Sequence, residues 1–309
     1  MVLRISGSAA EQAPATVDET APAEGTGRFA GVALMLGSGL SNQVGASVAA
    51  LAFPVIGPAG VVAIRQWVAA GVLWGVGRPR LRSFTSEQWR PVLGLALVFA
   101  VMNLSLYTAI DRIGLGLAVT LEFLGPLTVA LTGSRRRMDA LCALAAAAAV
   151  VVLARPSPST DYLGIGLGLI AAVCWACYIL LNRTVGSRLP GLEGSAAAAA
   201  VSGALYVPVG ALALWQHPPT PAALGCALTA GVLSSAVPFL ADLLALRRVP
   251  AHLFGVCMSV NPVIAAVVGL VVLDQHLEPA AWVAVLVIVG ANTVSLTAAS
   301  STGKDRGGT

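Results

Sequence analysis

The sequence predicts an all-α polytopic membrane protein, with ten transmembrane helices arranged as two five-helix halves of inverted orientation. Three observations predict it. Of the 309 residues, 57% are hydrophobic and only 10% charged, at a mean hydropathy of +0.84; soluble domains carry about 25% charged residues. Apolar stretches recur along the whole chain, each near the roughly 20 residues that a bilayer core about 30 Å thick requires. A segment of the first half also matches one of the second at a constant offset. An ordinary cytosolic enzyme, a secreted disulfide scaffold and a disordered chain are excluded at the outset.

The elements follow in chain order. Residues 1–28 are polar, with Glu11, Asp18, Glu19, Glu24 and the prolines Pro14 and Pro22. They lack the apolar core of a signal peptide and read as a disordered cytoplasmic tail. Spans are expected at about 29–52, 58–77, 91–110, 113–133 and 139–154, which make up a first five-helix repeat over 29–154. A second repeat over 155–298 holds spans at about 162–181, 194–215, 222–246, 249–273 and 279–298, and residues 299–309 form a cytoplasmic C-terminal tail. Alanine runs such as Ala145 to Ala149 give no sharp edge. The connecting loops are short, so no separate soluble domain is expected.

Orientation follows from the arginines. Lys304 is the one lysine, and the net charge of +4 is almost entirely arginine. With the N-terminal tail inside, the inner segments hold Arg4, Arg28, Arg78, Arg80, Arg82, Arg90, Arg135, Arg136, Arg137, Arg183, Arg188, Arg247, Arg248, Lys304 and Arg306, 15 of the 18 basic residues. Arg112 and Arg155 fall outside, and Arg65 lies within a span. This bias obeys the positive-inside rule, which needs an even number of spans for two cytoplasmic termini. The basic balance reports topology and excludes nucleic-acid binding.

Residues 109–133 align with 245–269 at an offset of 136. Ala109-Ile-Asp-Arg112 falls on Ala245-Leu-Arg-Arg248, Pro126 on Pro262 and Gly133 on Gly269. An odd number of spans separates the copies, so the repeat is inverted. Inverted repeats are typical of secondary transporters, whose sites lie near the midplane between the halves.

These residues also carry a family resemblance. Leu121-Glu-Phe-Leu-Gly-Pro-Leu-Thr-Val-Ala-Leu131 resembles the fourth span of threonine/homoserine exporter-type proteins in the EamA branch of the drug/metabolite transporter superfamily. Gly45-Ala-Ser47, Gly57-Pro-Ala-Gly-Val61 with Arg65, Cys174-Trp-Ala-Cys-Tyr-Ile179, Ser234-Ser-Ala-Val-Pro238 and Pro262-Val-Ile-Ala-Ala-Val-Val-Gly269 match in the same order. The resemblance implies ten helices in a five-plus-five inverted repeat, both termini cytoplasmic, and export of small polar metabolites from a bacterium across its inner membrane. The chain departs from the family pattern at Asn261 and at Asp274-Gln275, where members often carry glutamate. At Asp242 it keeps a carboxylate where the exporters carry glutamate.

Ionisable groups within the spans are few: Arg65, Glu122 and Asp242. A charge at the bilayer centre costs about 2.5–3.5 kcal/mol even on the mildest scale, so each is expected to face protein or water. Glu122 stands close to mid-depth, where it either takes up and releases a proton in an export cycle or makes a fixed helix–helix contact. Asp242, nearer the cytoplasm, reads equally as a proton or amine site and as a partner of the flanking arginines. Arg65 either pairs structurally, snorkels to the surface, or holds a substrate carboxylate bidentately.

Neutral polar groups complete the expected lining. Asn103 and Tyr107 are four apart and share a helical face, as do Trp175 and Tyr178, three apart. Gln43, Asn42, Ser234, Ser235 and Asn261 are further candidates. Amide and phenol groups supply hydrogen bonds to a zwitterion without a fixed charge, although each has an alternative use between helices. Pro126 and Pro262 each free a backbone carbonyl one turn earlier, and with Gly125 they suggest paired hinges.

Other chemistries fail on the residues. Cys174 and Cys177 have neither a second pair nor a nearby histidine, and His217, His252 and His276 lie in loops or at span ends, so no metal site or cofactor is expected. There is no phosphate-binding G-x-x-x-x-G-K-[ST] loop, and no nucleophile–base pair at membrane depth, so no catalytic residue is assigned. The expected function is secondary active export of an amino-acid-like metabolite, coupled to protons, in the lipid bilayer. Efflux of another metabolite or drug is the alternative, a membrane-embedded enzyme or channel fits less well, and a homodimer is compatible with the sequence.

Overall fold

The computed structural model describes residues 24–132, 141–142, 144–149, 161–189, 192–238, 241 and 257–305. Among these, all regular structure is helical: α1 (Glu24–Ala50), α2 (Phe53–Gly77), α3 (Ser86–Ile113), α4 (Leu115–Glu122), α5 (Leu124–Thr132), α6 (Tyr162–Arg188), α7 (Glu193–Gln216), α8 (Pro221–Gly231), α9 (Asn261–Leu273) and α10 (Pro279–Asp305). α8 runs on into a π-helical turn, Val232–Ala236. Helical pieces at 141–142 and 144–149 fall within the expected fifth span. Asp242, Arg135, Arg136, Arg137, Arg155, Arg247 and Arg248 lie outside the described residues.

Among the described residues, four helices, α2, α3, α6 and α7, are long and apolar enough to cross a membrane. Most helix bounds follow the apolar stretches. α1 differs in starting at Glu24 and α10 in running to Asp305, inside segments expected to be tails. A helix that leaves the apolar layer keeps its backbone groups paired by continuing.

Local sequence sets the breaks. Gly57 sits at φ +67° just before Pro58, a conformation that favours glycine, and it offsets the start of α2 from the straight run after it. Gly114, at φ +84°, ends α3 and opens α4 in the same way. Thr85 and Gln88 form a capping box at the start of α3. Phe123 separates α4 from α5 three residues before Pro126, and a turn at Ser259–Val260 precedes α9 and Pro262. The two proline breaks thus occupy matching positions in the aligned segments.

Packing relies on small residues and on polar clamps, as expected where no hydrophobic drive acts between helices. α3 lies against α6 and is tied to it at both ends. At one end Gln88 Nε2 donates to the Arg188 carbonyl at 3.0 Å, and Arg188 donates to the Glu87 carbonyl at 2.9 Å. At the other, Arg112 pairs with Asp161 at 2.9 Å, and the Asp161 carboxylate also accepts from the Gly164 N–H at 2.8 Å. That backbone hydrogen bond, reinforced by Arg112, holds the Asp161 carboxyl below the usual carboxylate range. α2 lies against α7 through a buried bond from Gln66 Nε2 to Ser202 Oγ at 2.8 Å and one from Trp67 Nε1 to the Gly203 carbonyl at 3.1 Å. Large apolar side chains such as Leu97, Val173, Leu212 and Val271 point outward, a surface suited to lipid.

Candidate functional site

A cavity of about 250 Å³ opens where the interrupted helices meet. α1 contributes Ser38, Gly39, Asn42 and Gln43; α2 contributes Arg65; α3 contributes Tyr107; α4 and the break after it contribute Val119, Glu122 and Phe123. Trp175 enters from α6, Ser234 from the π turn, Met258 from just before the turn that precedes α9, and Asn261 from the start of α9. Pockets for drug-sized ligands run roughly 300–1,000 Å³, so this one suits a small metabolite.

The π turn explains how α8 reaches the site. Its shifted register exposes carbonyls that a regular helix would bond internally. Ser41 Oγ donates to the Leu233 carbonyl at 2.8 Å, Ser234 Oγ donates to the Asn42 carbonyl at 3.1 Å, and Arg65 Nη2 donates to the Ser234 carbonyl at 3.3 Å. Gly45 permits this approach, because a Cβ there would meet the Ser234 hydroxyl and, at 2.9 Å, the Ser234 backbone nitrogen.

Arg65 is held by neutral groups. Its Nη1 donates to Asn103 Oδ1, whose own Nδ2 donates back to the Phe99 carbonyl at 2.7 Å and fixes the amide. The guanidinium carbon lies 4.9 Å from the centre of the Tyr107 ring, a cation–π distance. Glu122 is 7% exposed and within electrostatic reach of Arg65. Even so, no ion pair among the described residues involves Arg65 or Glu122.

Four buried side-chain polar atoms among the described residues have no hydrogen-bond partner: Gln43 Oε1, Arg65 Nε, Tyr107 Oη and Asn261 Oδ1. All four belong to residues that line this cavity. Buried polar groups in proteins are nearly always paired, so such a cluster marks a place where a polar guest or water completes the bonding.

The proline breaks shape the walls. Pro262 has no N–H for the Met258 carbonyl, and Asn261 Nδ2 takes that role at 3.0 Å. Asn292 Nδ2, from α10, donates to the carbonyl of Phe123 at 3.4 Å. Phe123 meets Trp175 edge to face, with ring centres 4.6 Å apart. At Gly125 a Cβ would strike the Ala172 carbonyl oxygen, so the missing side chain serves the close approach of α5 to α6.

Of the residues expected from sequence, Gln43, Tyr107, Glu122, Trp175 and Asn261 line the cavity, with Asn42 and Ser234. Asn103 stands behind the lining and holds Arg65. Tyr178 lies apart from it, against Phe99 at 6.0 Å, because three residues of helix carry it about 4.5 Å along the axis from Trp175. Asp242 is outside the described residues. Sequence reasoning did not single out Ser38, Gly39, Phe123 or Met258. The available signal was spacing: Ser38 and Gly39 precede Asn42 and Gln43 by four residues and share their face.

Comparisons with known proteins agree with this architecture. The EamA-like transporter family model matches residues 162–297. Threonine/homoserine exporter RhtA of Escherichia coli (strain K12) is 34% identical over 268 residues, 84% of this chain and 89% of that protein. Threonine/homoserine exporter RhtA of Salmonella typhimurium (strain LT2) is 35% identical over 259 residues, covering 82% and 86%. A solved crystal structure superposes with a TM-score of 0.55 at 19% identity, over 87% of this chain and 97% of the other, a likeness of fold alone. The chain is a multi-pass membrane protein with transporters, not enzymes, as its relatives, and it belongs to the EamA-like transporter family of the drug/metabolite transporter superfamily.

Proposed function

We propose that this protein exports small amino-acid-like metabolites, of the threonine and homoserine kind, across the bacterial inner membrane by proton-coupled alternating access. The observation that carries the reading is the cavity of about 250 Å³ with its four unpartnered polar atoms and its two opposite ionisable groups, Arg65 and Glu122. A zwitterion needs several hydrogen bonds when it leaves water, and this lining offers them. The similarity to threonine/homoserine exporters supports the substrate class.

In this reading Glu122 binds proton or substrate at mid-depth. Gln43, Tyr107, Trp175 and Asn261 line the path, Asn103 supports it, and Asp242 acts on the cytoplasmic side. Ten spans form two inverted repeats, 29–154 and 155–298, with cytoplasmic tails over 1–28 and 299–309. The matched proline breaks and the pairing of α2 with α7 and of α4 with α9 support that symmetry. Gly125, Pro126 and Pro262 are where the halves flex. A homodimer is compatible with the outward apolar faces, which lipid also suits.

The test is flux in inside-out vesicles with labelled threonine and homoserine. Saturable uptake that grows with an acidic lumen and collapses when the gradient is dissipated is expected. No flux above control vesicles, with folded protein verified, overturns the substrate assignment.

A further inference from the structure

We infer that Arg65 is the carboxylate-binding residue of the cavity, receiving the acid group of the substrate on its guanidinium while the amine faces Glu122. The inference rests on the amino-acid reading above and assigns it an orientation and a selectivity.

The geometry points to an anion at this position. A guanidinium carries five N–H donors, and the bonds to Asn103 and Ser234 use two of them. Nε is buried with no partner, although the residue lines the cavity. Those two acceptors and the Tyr107 ring supply dipoles and a π-face but no counter-charge. No carboxylate among the described residues stands within ion-pairing distance of it. An unpaired cation at membrane depth is costly, and such residues pair or mark a substrate path.

The surroundings also make Arg65 a good receptor. Asn103 is itself anchored to Phe99, and the ring of Tyr107 backs the guanidinium plane, so the fork is held in place before any guest arrives. A planar fork matches a carboxylate bidentately, and a preorganised one loses less entropy on binding. The unpartnered hydroxyl of Tyr107 is a further donor on the same wall. Glu122 lines the same cavity and offers its carboxyl group to an ammonium group. A guanidinium fork and a carboxyl group in one small cavity suit a zwitterion, whereas an amine without an acid group would leave Arg65 uncompensated.

The experiment uses the full chain in vesicles and compares threonine with threonine amide, in which a neutral carboxamide replaces the acid and the amine is kept. The wild type is expected to prefer threonine by roughly ten- to a hundredfold, the range for hydrogen bonds to charged groups. Arg65→Gln is expected to bring that ratio close to one by weakening threonine and leaving the amide nearly unchanged. Arg65→Lys, which keeps the charge and loses the fork, is expected to fall between them. Arg65→Gln protein that retains the wild-type ratio overturns the inference, as does a wild type that handles amide and acid alike. If loss of the Asn103 and Ser234 bonds unfolds Arg65→Gln, the wild-type ratio and Arg65→Lys decide the matter. Folded wild type with no threonine flux overturns the amino-acid reading and this inference together; threonine flux with an unchanged ratio overturns this inference alone.

Discussion

Gln66 and Ser202, hydrogen-bonded at 2.8 Å in the buried contact of α2 with α7, stand 136 residues apart, the same offset that places Pro126 on Pro262. The neighbouring bond from Trp67 to Gly203 has that separation too. In the proposed inverted repeat, a twofold axis brings equivalent residues face to face where it crosses their contact, and this pair stands at the offset such a seam requires. A double-mutant cycle with Gln66→Leu and Ser202→Ala is expected to show favourable coupling of about 0.6 kcal/mol, with about 1.7 as the upper bound for such bonds between membrane helices. Additive effects on the thermal midpoint in micelles would remove the clamp from the account.

Asn261 has two duties. Its Nδ2 satisfies the Met258 carbonyl left open by Pro262, while its Oδ1 has no partner beside the cavity. Asn261→Leu leaves the part-buried Met258 carbonyl without this donor, at a cost of about 1 kcal/mol. A lowered unfolding midpoint is expected, and an unchanged midpoint would mean that the carbonyl finds another donor.

Two glycines on adjoining helices should respond oppositely. At Gly125 a Cβ meets the Ala172 backbone and, at 3.1 Å, the Trp175 Cβ, whereas at Gly166 nothing lies within 4 Å. Gly125→Ala is expected to destabilise by about 1–3 kcal/mol, as overpacking does. Gly166→Ala is expected to be neutral or to stabilise by up to about 1 kcal/mol through helix propensity. Equal responses in thermal unfolding would contradict the close approach of α5 and α6.

The cap at the start of α6 sets a pH dependence. Bonds from Gly164 and Arg112 lower the Asp161 carboxyl below its ordinary range, so the folded form holds its proton less tightly than the unfolded one. The stabilisation is therefore present above the ordinary Asp value of about 3.9 and is lost as pH falls through the lower folded value. Asp161→Asn keeps a capping oxygen and removes the titration. Melting curves of the two proteins should differ at neutral pH and converge in acid, and a gap that persists in acid would locate the effect elsewhere.

Glu122→Gln tests the proton assignment without changing the shape of the wall. Uptake by the variant is expected to lose its dependence on the pH gradient while folding is preserved. A pH profile that matches the wild type would move the coupling to another carboxylate, of which Asp242 is the first to examine.

Local properties of the chain already determined much of this. Apolar length indicated where most helices run, and Pro126 and Pro262 marked bends, because both are read within a few residues; the breaks at Gly57 and Gly114 came from the structure. The polar and charged groups inside the spans were so few that Gln43, Tyr107, Glu122, Trp175 and Asn261 could be named as lining. The rotation of each helix about its axis was decided only by tertiary packing. Helices such as α6 and α7 are apolar nearly all round, so no sequence period says which face meets a neighbour. That rotation set Tyr178 against Phe99 while Trp175 entered the cavity, and it gave Gly125 to a close contact. It also brought Arg65 from α2, Asn103 and Tyr107 from α3 and the opened carbonyl of Ser234 to one point.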